Sequence, residues 1–139
     1  MLRIVGSIVA GALTAFVLVW GIELIGHLIF PLPEDLDLRN PEVADQALGS
    51  IPLPAKLIVV FAWFTGALGG GYVASRIRGR WWSPWLIASL VALAAIVTIM
   101  MIPHPVWMQI AAVVAPLLGG LAATHLAGSR PREKTHADV

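Results

Sequence analysis

The chain has 139 residues, 58% hydrophobic and 12% charged, against roughly 45–50% and 25% in ordinary soluble domains. Its formal net charge is +1 and it contains no cysteine, which excludes disulfides, thiolate metal sites, iron–sulfur ligation and cysteine nucleophiles. What remains is a single-domain, all-α polytopic membrane protein whose apolar residues gather into four runs, each close to the ~20 residues that cross a bilayer.

The first run, 4–30, follows Arg3. It is too long for a secretory core of about 7–15 apolar residues, so it reads as an uncleaved anchor. Glu23 and His27 interrupt it four positions apart, on one helix face. A carboxylate at membrane depth costs roughly 2.5–3.5 kcal/mol on insertion scales, so it implies a partner or a task.

A connection over 31–54 follows, bracketed by Pro31, Pro33, Pro52 and Pro54, which stop helix continuation at both ends. Within it, 41–48 reads as a short helix with Asn40 as cap and Pro41 first, its Val43 and Leu48 turned to the membrane surface.

The second run, 55–75, carries a row of small residues at four-residue spacing: Ala62, Gly66, Gly70 and Ala74. Such rows let helix backbones approach closely in lipid, either inside one chain or between two copies. A homodimer through this helix, or a place in a larger membrane complex, is therefore an expectation. Next comes a tight turn around 76–83, with Arg76, Arg78 and Arg80, then Trp81, Trp82 and Trp85 as an interfacial belt. Ser83 reads as the cap of the third run, 84–102, and Pro84 as its first residue.

Pro103-His104-Pro105 turns the chain into the fourth run, 106–127, where Pro116 deprives the Ala112 carbonyl of its usual donor. These four runs form one domain, 1–127, and a polar tail, read as disordered, follows over 128–139. Ile51-Pro-Leu-Pro54 resembles Ile102-Pro-His-Pro105, and Leu68-Gly-Gly-Gly71 resembles Leu118-Gly-Gly-Leu121, which points to a parallel 2+2 repeat.

Charge sets the orientation. Arg3, Arg76, Arg78, Arg80, Arg130, Arg132 and Lys134 fall on one side of a four-span bundle, and only Arg39 and Lys56 on the other. That asymmetry predicts both termini in the cytoplasm and 31–54 outside, in a bacterial inner membrane. The basic clusters are read as topology determinants, not as a nucleic-acid surface.

In this topology Glu23 lies about seven residues, or roughly 10 Å, below the outer end of its helix. His27, His104, Gln109 and Lys56 lie at comparable depth, with the rings of Trp20 and Trp63 expected beside them; His125 and His136 lie on the other side. Three readings follow. Glu23 bonds His27 or Lys56 and pins the helices. Alternatively it is the titrating site of a small transporter or channel, with His27 as relay. In the third, Glu23, His27 and His104 ligate a divalent transition metal. The sequence implies no other cofactor, and it lacks a zincin helix, a P-loop, a dinucleotide fingerprint and a triad, so an enzyme is not expected.

The combination Ile22-Glu-Leu-Ile-Gly-His27, Phe30-Pro-Leu-Pro33 and Ile102-Pro-His-Pro-Val-Trp107 resembles a set of small four-span bacterial membrane proteins with no assigned activity. The resemblance covers most of the chain except the tail and implies topology, not mechanism. A non-enzymatic accessory or scaffold component is the leading expectation, and a small proton- or metal-coupled transporter the alternative. A single cysteine introduced as Asp37→Cys is expected to react with a membrane-impermeant maleimide in intact cells. Thr135→Cys is expected to react only after permeabilisation; the reverse pattern refutes the orientation.

Overall fold

The computed structural model describes residues 2–31, 40, 42–43, 49–78, 80–102 and 104–128. It contains four long helices: α1 (Leu2–Ile29), α2 (Leu53–Arg78), α3 (Ser83–Met101) and α4 (Val106–Leu126). All four are long and apolar enough to cross a membrane. They alternate in direction, so one end of the bundle carries Arg3, Arg76 and Arg80, and the other carries the α1–α2 connection and the α3–α4 turn. These are called the arginine end and the loop end below.

Prolines set the helix starts. The Pro52 carbonyl accepts from Ala55 N at 3.0 Å to open α2, and the Pro105 carbonyl accepts from Met108 N at 2.9 Å to open α4. Proline suits these positions because its missing N–H would be unpaired there anyway. Asn40 Oδ1 accepts from Glu42 N at 3.1 Å, the expected cap bond; most of the 41–48 helix lies outside the described residues. Ser83 is a correction: it is the first residue of α3, Trp82 occupies the cap position without a side-chain bond, and Pro84 is second. Gly128, with φ 64°, follows α4 in the left-handed conformation that ends many helices. Beyond it the tail lies outside the described residues.

α2 is the hub, touching each of the other three helices. At Gly70 a Cβ would lie 2.5 Å from Gly11 O and 2.7 Å from Ala15 Cβ, so backbone meets backbone with no room for a methyl group. At Gly66 it would meet Val19 and the Ala15 carbonyl. The row Ala62, Gly66, Gly70 and Ala74 is buried and serves α1 inside one chain. Of the two uses its spacing allows, this row takes the internal one, and α1 fills the space a second copy would need there. The adjacent face of α2 is also taken: a Cβ at Gly119 of α4 would strike Phe64 O and Ala67 Cβ.

The repeat fails as well. A parallel two-fold would give α1 and α3 equivalent neighbours, yet α3 touches α2, α4 and α1, while α1 makes no contact with α4 among the described residues. The helix starts also fall out of register, because Pro52 caps α2 whereas Pro105, the partner of Pro54 in the alignment, caps α4. Resemblance between the two proline motifs is thus local.

Polar side chains within the spans mostly bond to the preceding turn, as lipid demands. Ser7, Thr14, Ser89, Thr98 and Thr124 each donate to a carbonyl three or four residues back. Thr65 Oγ1 and Ser75 Oγ are buried with no hydrogen-bond partner among the described residues. At the arginine end the Arg76 guanidinium lies 5.7 Å from the Tyr72 ring and that of Arg80 5.3 Å from Trp82, which makes Tyr72 an exposed ring under a cation.

Gly119→Val is expected to lower stability by about 1–3 kcal/mol, the usual cost of overpacking. Gly21→Ala, where nothing lies within 4 Å of an added Cβ, is expected to be neutral or slightly stabilising. Unfolding in mixed detergent measures both.

Candidate functional site

The loop ends of the four helices do not close on one another. They leave a cavity of about 560 Å³, within the range of roughly 300–1,000 Å³ that holds small molecules. α1 contributes Glu23, Gly26, His27 and Ile29; α2 contributes Ala55, Lys56, Ile58 and Val59; α3 contributes Thr98. Ile51, Pro52 and His104 line it from the connections, and Met108 from α4. Most of this wall is apolar, so the few polar groups are conspicuous.

Four of the five expected site residues are brought together: Glu23, His27, Lys56 and His104 all line the cavity. Gln109 does not. It is exposed, and its Nε2 donates to His104 O at 3.0 Å, holding the α3–α4 turn from behind. Trp20 and Trp63 do not line it either: Trp20 is 58% exposed on the outer face of α1, and Trp63 is buried in the core.

The bonds expected of Glu23 are not made. Among the described residues no salt bridge or hydrogen bond joins Glu23 to His27 or Lys56, although all three face one cavity. Spacing of four residues aligns two side chains on a helix but does not oblige them to bond, since each side chain's rotamer is set separately. Glu23 is only partly buried, and its oxygens are not among the buried atoms lacking partners. Glu23 thus lines the cavity and is not sealed in the bundle.

His104 is fixed more firmly. Its Nδ1 lies 2.6 Å from Ile102 O. A carbonyl oxygen can only accept, so Nδ1 carries a proton. The three expected metal ligands are not gathered: among the described residues no three histidine, aspartate or glutamate side chains group closely enough to hold an ion. Glu23 and His27 sit on α1 and His104 sits in the α3–α4 turn, and the cavity lies between them.

Sequence reasoning missed Thr98, Met108 and Phe30 as lining residues. Thr98 had a readable signal, being the only hydroxyl in the second half of α3. Its own hydroxyl donates to Ala94 O at 3.0 Å.

Four apolar helices around an acid-bearing cavity define a multi-pass membrane protein. Comparison with protein-family models, curated proteins and solved structures yields no match, so the resemblance to small four-span proteins rests on its three short motifs. Nitrogen-15 NMR is expected to find the proton of the neutral His104 ring on Nδ1; the opposite tautomer refutes the turn geometry.

Proposed function

We propose that this chain is a non-enzymatic protein of the bacterial inner membrane whose loop-end cavity, facing outward, takes up a small cation-bearing ligand on the Glu23 carboxylate. One observation carries the reading: an acid placed within a membrane-spanning helix lines a cavity and forms no ion pair or hydrogen bond among the described residues, its nearest charged neighbour being His27 on the same helix. An acid retained only to fasten helices is bonded to them, because a half-satisfied buried charge is costly. Here the cost is offset by access to the cavity and, in this reading, by ligand.

The charge pattern supports the orientation, with the arginine end in the cytoplasm. Beyond Glu23 the bundle is filled: Ser7, Ala74 and Ile87 are each 0% exposed. A ligand entering from outside stops at Glu23, which corresponds to the outward-open member of an alternating-access pair, with proton or cation coupling through that carboxylate. The second reading, an accessory component of a larger complex, is favoured by α1, whose Leu13, Phe16 and Val17 are 60%, 66% and 62% exposed on a face no other helix covers.

Binding of tetraphenylphosphonium to the purified protein, followed by calorimetry, tests the proposal. Glu23→Gln is expected to fold normally and weaken binding about tenfold, the worth of one charged contact. Unchanged binding overturns the ligand reading, and a Glu23→Gln chain that fails to assemble favours the accessory one.

A further inference from the structure

The cavity is walled on one side by α1 and on another by α3, with α2 behind. At the arginine end these two outer helices close up, since a Cβ at Gly11 would lie 3.2 Å from Ile87 Cδ1. At the loop end both helices line the cavity, α1 through Glu23, Gly26 and His27 and α3 through Thr98. α4 does not reach α1 to close this gap among the described residues. Next to the lining residues, Leu28 and Met101 are 75% and 77% exposed. Exposed apolar side chains thus flank the cavity's α1 and α3 walls, at the loop ends of helices long and apolar enough to cross a membrane.

Two opposite charges share the interior. Glu23 and Lys56 both line the cavity, and among the described residues they form no ion pair with each other or with another side chain. Side chains of opposite charge that leave each other unpaired in a mostly apolar space are matched by a ligand that carries both complementary charges.

We propose that the cavity is a lateral site for an amine-bearing zwitterionic phospholipid of the surrounding leaflet, with Glu23 receiving the ammonium and Lys56 the phosphate. This rests on the reading of the cavity as a ligand site and names its ligand. A carboxylate accepts N–H bonds from a primary ammonium, which a quaternary ammonium lacks. An anionic headgroup without the amine meets the like charge of Glu23. The volume of about 560 Å³ suits a headgroup and its glycerol, while the acyl chains leave between α1 and α3 into lipid. A soluble cation uses neither the lateral opening nor Lys56.

Native mass spectrometry of the full chain in detergent, titrated with dioleoyl phosphatidylethanolamine or dioleoyl phosphatidylglycerol, tests this. A one-to-one adduct with the first lipid is expected, held about tenfold more tightly than the second, and weakened about tenfold by Glu23→Gln or Lys56→Met. Thr98→Trp, which fills the opening, is expected to abolish the adduct. If Glu23→Gln does not fold, Lys56→Met and Thr98→Trp decide the matter. Equal retention of both lipids, indifference to Lys56→Met, or equally tight binding of free phosphoethanolamine overturns the lipid assignment. Should that happen while tetraphenylphosphonium binding still depends on Glu23, the cavity remains a ligand site; loss of both removes both readings.

Discussion

The backbone contact between α1 and α2, where Gly11 and Gly70 leave no space for a methyl group, is the constraint from which the rest of the bundle follows. Inside lipid there is no hydrophobic gain in joining two apolar rods, so close van der Waals approach has to supply the attraction. Small residues permit it along the α1 side of α2 from Ala74 up to Ala62, and on the neighbouring side where Gly119 meets Phe64 and Ala67. Larger side chains take over near the loop end. There Ile58 of α2 packs where a Cβ on Gly26 would sit, and the helices stand apart enough to enclose a cavity. Tight packing at one end and open space at the other are thus two outcomes of how residue size is distributed along α2.

That distribution also accounts for where polarity is tolerated. Hydroxyls in the spans turn back on their own helix, which satisfies them without any neighbour. Glu23 has no such local solution, because a carboxylate cannot donate to a carbonyl. It lies instead at the level where the bundle opens, with Lys56 and two imidazoles around the same space. The position of the acid and the position of the void are one feature seen from two sides.

Much of this was legible in the residues themselves. Apolar runs and bracketing prolines gave helix limits within about two or three residues of those observed, since lipid thickness and proline chemistry act locally. Convergence of Glu23, His27, Lys56 and His104 was also readable, because depth in a membrane follows from counting along each helix. Rotation about the helix axis was not readable. Trp20 and Trp63 lie near the expected depth but point to lipid and core, and Gln109 turns to the His104 carbonyl. Whether the small-residue row of α2 would meet its own chain or another depended on where α1 packs, and no pattern within α2 encodes that. The proline motifs misled for a related reason: one marks a helix start two residues earlier than the other, so alike letters occupy unlike places.

The order of contacts has a bearing on biogenesis. α1 and α2 emerge first and are neighbours in sequence, so their glycine-lined seam can form before the remainder is synthesised. α3 then meets both, and α4 arrives last to cover Ala67 and Gly71 of α2 and Ala88 of α3 with Gly119, Ala123 and Gly120. Until that moment the second face of α2 lies open to lipid with little side chain to shield its backbone. A nascent chain halted after α3 would carry that bare surface.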